Sequence, residues 1–171
     1  MNNPRELASL TAEWREKANK AFRPVDLRSG VTYALEEAAE ALSALHRTER
    51  VGDFRNRSDD EVDSVARELG QTAFMILSAA QASGLHVGDY ADVTYVHQGD
   101  PIASMSVVIE KLARACYDIR TRSVPSDWAH ISDLLDIALY VVVGVADTAG
   151  VDLAEEIDMW MRSIERRTLE T

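Results

Sequence analysis

Apolar residues recur three and four positions apart along almost the whole chain, the spacing of helices with one buried face. Leu35, Ala38, Leu42 and Leu45 make such a stripe between about Val31 and Arg50, with the acids of that segment placed on the opposite side. Val65, Leu69, Ala73, Ile76 and Ala80 make a second stripe, and Phe74, Met75 and Leu77 leave the last turns of that helix apolar nearly all round. Such a helix is expected to be buried on several sides. Ile137 to Val143 is the longest apolar run. It falls well short of the ~20 residues of a membrane span and reads as a buried helix segment. The β-branched clusters Val93-Thr94-Tyr95-Val96 and Val141-Val142-Val143 are short and sit in helical surroundings. The pattern predicts an all-α fold.

Punctuation agrees with the periodicity. Asn3 as N-cap, Pro4 at the first helical position and Glu6 three beyond the cap open a first helix reaching about Ala21. Pro24 and Gly30 are expected to break it, and a second helix to run from about Val31 to Arg50. After the loop Val51-Gly52-Asp53-Phe54-Arg55-Asn56-Arg57, Ser58 and Glu61 form a capping box for a third helix that Gly84 stops. Asp100-Pro101 opens a fourth helix to about Arg122, Ser126 caps a fifth ending near Gly150, and a last helix spans roughly Asp152 to Arg167.

The two halves resemble each other. Phe74-Met75-Ile76-Leu77 and Ala82-Ser83-Gly84-Leu85 are echoed by Tyr140-Val141-Val142-Val143 and Thr148-Ala149-Gly150-Val151 at a constant offset of 66 residues. Leu35 to Ala41 is likewise echoed by Ile109 to Ala115. The expectation is one domain over residues 1–171, a helical bundle of two related hairpins, with residues 31–90 as the first repeat and 102–167 as a degenerate second.

Composition narrows the function. The formal net charge of −11 disfavours a polymeric nucleic acid as partner, although a small anion screened by a cation or by arginines remains acceptable. Cys116 is the single cysteine, so no intrachain disulfide forms, and the segment Met1 to Glu6 lacks the apolar stretch of a signal peptide. A cytoplasmic location without membrane attachment is expected. Helices buried on several sides suggest a homodimer or homotetramer.

Chemistry concentrates on the second and third helices. Glu37 and Glu40 share a face, as do Glu68 and Gln71, because residues three apart are neighbours on a helix. If these helices pack together, their oxygens converge on one hard divalent cation. Glu68 belongs to a helix whose remaining circumference is largely apolar, and a buried carboxylate without a partner is strongly unfavourable. A shared cation would relieve that strain. Arg47, Arg50, Arg55 and Arg57 follow the acidic helix, and guanidinium groups beside a metal site grip phosphate oxygens. His46, His86, His97 and His130 fall singly and give no zinc spacing. Cys116 lies in an Ala-rich amphipathic helix, where an inert buried thiol is expected.

These motifs resemble the MazG-like all-α nucleoside triphosphate pyrophosphohydrolases, whose hallmark is E-x-x-E, a spacer, E-x-x-D, and a buried helix ending at a glycine. Glu37-x-x-Glu40, 27 intervening residues, Glu68-x-x-Gln71 and Gly84 stand in that order here. The loop Phe54-Arg55-Asn56-Arg57 and the closing Gly150-Val151-Asp152-Leu153 with Arg162, Arg166 and Arg167 are also similar. The resemblance implies a Mg²⁺-dependent enzyme, with Mn²⁺ as substitute, that splits a nucleoside triphosphate into monophosphate and pyrophosphate. It implies Glu37, Glu40, Glu68 and Gln71 as metal ligands, Glu37 as the group that polarises water, and Glu36 as its helper. Which nucleotide is taken stays open.

Two departures point to an alternative, a catalytically weakened relative that binds a nucleotide or a protein. Gln71 replaces an anionic aspartate by a neutral amide, and Lys111 and Arg114 stand where the second repeat would echo Glu37 and Glu40. If the repeats pack face to face, Lys111 and Arg114 could hold phosphate, and Asp133 and Asp136 could reach into the first site.

Overall fold

A computed structural model describes residues 2–18, 26–50, 59–88, 99–121 and 128–169. Six helices account for nearly all of them: α1 (Pro4–Ala18), α2 (Leu27–Arg50), α3 (Asp59–Ala82), α4 (Pro101–Thr121), α5 (Trp128–Ala149) and α6 (Leu153–Leu169). Among the described residues there is no strand, so the all-α expectation holds. The Ser58 and Glu61 side chains, residues 93–96 and Ser126 lie outside what is described.

Local chemistry starts and stops these helices. The Asn3 side chain accepts from the Arg5 N–H at 3.0 Å, Asp100 from the Ile102 N–H at 2.9 Å, and Asp152 from the Ala154 N–H at 3.0 Å. Asp26 does the same for the Ser29 N–H at 2.7 Å, which moves the start of α2 upstream of the sequence expectation. Gly30 therefore breaks nothing: it lies buried inside the first turns of α2, its N–H bonded to the Asp26 carbonyl at 2.9 Å. An aspartate cap placed four residues earlier outweighs the modest helix penalty of one glycine.

The C-termini of α3 and α5 are built alike. Gly84 (φ 68°) and Gly150 (φ 72°) take the left-handed conformation that only glycine adopts without strain. Across them the Leu85 N–H bonds the Ala80 carbonyl at 2.9 Å, and the Val151 N–H bonds the Ala146 carbonyl at 2.8 Å. These caps keep the 66-residue offset seen in the sequence.

The helices pair as α2 with α3 and α4 with α5; α2 also packs on α4 and α3 on α5, while α1 and α6 cover α3. Leu69, Ile76, Leu112, Leu135, Leu139 and Val142 fill the centre with no exposed surface. All five residues of the stripe expected on α3 are buried. On α2 the expected stripe is rotated in part: Ala38 and Leu45 are buried as expected, but Leu35 and Leu42 are only half-buried, and Val31, Ala34, Ala41 and Ala44 complete the core face. Small residues let α3 approach closely, so packing selects the alanines over the larger leucines. Glu36 and Glu40 are exposed as expected, and Glu37 alone of the three is half-buried. At about 100° per residue Glu37 lies roughly 60° from the middle of the buried face, at its edge.

α5 is the one described helix whose length and composition would suffice for a membrane span, and most of it is buried in the bundle, as in any core helix. Asn2 ties the start of the chain to the α5–α6 turn, accepting from the Leu153 N–H at 2.7 Å and donating to the Val151 carbonyl at 2.8 Å.

Gly70 fixes how α3 is turned. A Cβ there would stand 2.7 Å from the Glu156 Cβ of α6, too close for any real contact. Gly70 and Glu68 are two residues apart, nearly opposite on the helix, so seating Gly70 on α6 directs Glu68 toward α2. Phe74 and Trp160 close the same α3–α6 seam edge to face at 5.3 Å. Gly70→Ala is expected to lose about 1–2 kcal/mol in urea unfolding, because overpacking outweighs the gain in helix propensity of up to about 1 kcal/mol.

Candidate metal centre

Glu37 and Glu40 come from α2 and Glu68 from α3, and one carboxylate oxygen of each lies within 4.8 Å of the others. The cluster grades inward: Glu40 is exposed, Glu37 half-buried and Glu68 buried, at 6% exposure. Three carboxylates this close repel one another, and the Glu37 carboxyl records it. Burial first, then the Glu68 charge and a hydrogen bond to Glu68, then Glu40 and Glu36, push its pKa up to about 7. Near neutral pH Glu37 therefore carries a proton much of the time and donates it to the Glu68 carboxylate.

The donor set fits a hard divalent cation. Three oxygens within 4.8 Å of one another share a point no more than about 2.8 Å from each, near the roughly 2.0–2.6 Å at which carboxylates bind Mg²⁺ or a larger oxygen-loving ion. A proton now shared between two of the ligands is what such an ion replaces.

The remaining expected site residues are distributed as follows. Gln71 is half-buried on α3, three residues past Glu68 and hence on a neighbouring part of the same face. Glu36 is exposed beside Glu37. Arg47 is exposed two turns beyond Glu40 on α2, its Nη1 donating to Ser43 Oγ at 2.9 Å. Arg55 and Arg57 lie outside the described residues.

The second half adds no acid to the cluster among the described residues. Arg114 Nε pairs with the buried Asp118 at 3.0 Å, and Asp118 also meets His130 Nε2 of α5 at 3.2 Å. Lys111 Nζ pairs with Glu110 at 3.2 Å. Asp136 accepts from the Gly88 N–H at 2.7 Å, beyond the far end of α3, about 20 Å along that helix from Glu68. Asp133 is exposed three residues earlier on α5, where Ser132 donates to the His86 carbonyl at 2.8 Å. Neither aspartate joins Glu37, Glu40 and Glu68. Cys116 is half-buried and burial raises its thiol pKa, in keeping with an unreactive thiol.

Sequence reasoning missed Arg67. Its Nε and Nη2 each lie 3.2 Å from Glu68 Oε1, which makes it the cation paired with the cluster among the described residues. The signal was adjacency to Glu68, obscured because consecutive helix residues point about 100° apart and only a long side chain bridges that angle.

Fold and site together define an all-α bundle with a three-carboxylate centre at the seam of two adjacent helices. No family model, curated protein or solved structure matches the chain.

Proposed function

We propose that the chain is a divalent-cation-dependent nucleoside triphosphate pyrophosphohydrolase of the MazG-like kind, releasing nucleoside monophosphate and pyrophosphate. The observation that carries this reading is the meeting of Glu37, Glu40 and Glu68 from two helices within 4.8 Å. Glu37, Glu40 and Glu68 would hold the ion, with the Gln71 amide oxygen as a neutral fourth donor. A bound Mg²⁺ or Mn²⁺ supplies Lewis-acid neutralisation of phosphate charge and makes water more acidic. The chain's own part is proton handling and orientation. Glu37 would polarise the attacking water and take up its proton. Glu36, exposed beside it, offers a route for that proton to solvent.

The test is pyrophosphate release from each canonical and modified nucleoside triphosphate with Mg²⁺ or Mn²⁺. The wild type is expected to release pyrophosphate and monophosphate in equal amounts, and Glu68→Gln to lose on the order of a hundredfold or more in rate. Gln71 favours a second reading, a binding module without turnover, since a neutral amide holds Mg²⁺ less well than a carboxylate. Nucleotide binding without pyrophosphate release in the wild type, with activity appearing in Gln71→Asp, would select it.

A further inference from the structure

The cations read from the sequence as phosphate ligands have partners on their own helices wherever they are described: Arg114 with Asp118, Lys111 with Glu110, and Arg47 with Ser43 two turns past Glu40. Among the described residues, the cation paired with the trio is Arg67. Both its Nε and its Nη2 address one oxygen, Glu68 Oε1, at 3.2 Å. The Arg67 side chain is 56% exposed while that of Glu68 is 8% exposed, so a guanidinium open to solvent pairs with a buried carboxylate. Guanidinium offers five N–H donors in a planar fork suited to phosphate, and one carboxylate oxygen engages only two of them.

Arg67 sits on a carboxylate that an incoming divalent ion must also use. Its pairing with Glu68 therefore competes with the ion, and an ion on Glu68 leaves the guanidinium without its partner. In a chain of net charge −11, a polyphosphate reaching three glutamates needs positive charge at that place. We propose that Arg67 is an exchangeable counter-cation: it pairs with Glu68 in the metal-free protein, yields Glu68 to the divalent ion, and then binds the phosphate oxygens of a polyphosphate substrate. The inference rests on the pyrophosphohydrolase reading and names a binding residue for its substrate.

The role makes two predictions of opposite sign. Removing Arg67 takes away a competitor of the metal and a ligand of the phosphate. Calorimetric titration of the full chain with Mn²⁺ alone, then with inorganic triphosphate added as its manganese complex, separates them without any turnover. Arg67→Gln is expected to bind Mn²⁺ about two- to fivefold more tightly, the range of an exposed ion pair. It is expected to bind the triphosphate complex about tenfold or more weakly, the loss of a charge-assisted contact. Arg67→Lys, which keeps the charge, is expected to retain most of the triphosphate affinity, and circular dichroism confirms that both variants fold.

Unchanged affinities in Arg67→Gln, or Mn²⁺ and triphosphate both weakened, would overturn the Arg67 role and leave the pyrophosphohydrolase reading standing. A wild type that takes up Mn²⁺ but no triphosphate, or neither, overturns both.

Discussion

Millimolar Mn²⁺ is expected to raise the midpoint of thermal unfolding by about 5–10 °C in the wild type and to leave a Glu40→Gln, Glu68→Gln double variant unmoved. A ligand present at a hundred times its dissociation constant stabilises the native state by about 2.7 kcal/mol. For a domain of this size each kcal/mol moves the midpoint by about 2–4 °C. The metal-free comparison is as informative as the metal-bound one. Three carboxylates within 4.8 Å destabilise the apo protein, so the double variant, which keeps the shapes and removes two charges, is expected to melt at or above the wild type when chelator is present. Mn²⁺ then reverses the ranking. A cluster that weakens the fold until a cation arrives is the trade expected of a functional site. If the variant melts below the wild type in chelator and Mn²⁺ shifts both alike, the acids are solvated surface groups and the metal reading is lost.

That trio was legible in the sequence because its information is local. Glu37-x-x-Glu40 and Glu68 need only helical spacing and two neighbouring helices to come together, and the caps at Gly84 and Gly150 state where the helices end. What escaped was decided by packing. Leu35 and Leu42 outrank alanines on any hydrophobicity scale, yet α2 turns its alanines inward because α3 must come close, and this carries Glu37 from the solvent side to the edge of the core. Gly30 resembles a breaker until Asp26 supplies a cap upstream of it. The second half shows the same limit. Lys111 and Arg114 echo Glu37 and Glu40, and Asp133 and Asp136 fall one residue out of register with Glu68 and Gln71, but register does not fix which seam a side chain faces. Arg114 turns to Asp118, which also meets His130, and Asp136 to Gly88. Arg67 lies between these cases, next to a residue the sequence singled out and invisible to a search for shared faces.

In the absence of metal the protein is expected to lose stability as pH rises through about 7, and Glu37→Gln to remove much of that loss. Burial and neighbouring carboxylates raise the Glu37 pKa from 4.5 to about 7 in the folded chain, so between these values the folded state holds a proton that the unfolded state has released. Stability therefore falls as pH climbs across this window; the contribution is complete below about 4.5 and gone once Glu37 ionises. Solvent screening of a half-exposed carboxyl reduces the effect to about 1 kcal/mol, or about 2–4 °C in the melting midpoint. General repulsion in a chain of net charge −11 acts in the same direction, which is why the variant is the control. Glutamine stays neutral and can still donate to Glu68, so its midpoint should exceed that of the wild type at pH 8 and approach it at pH 5. Saturating Mn²⁺ changes the sign for the wild type alone. The ion binds the deprotonated carboxylate, so metal-bound stability rises through the window in which metal-free stability declines. Parallel pH profiles for wild type and Glu37→Gln, with and without Mn²⁺, would show that Glu37 neither shares a proton with Glu68 nor exchanges it for a cation.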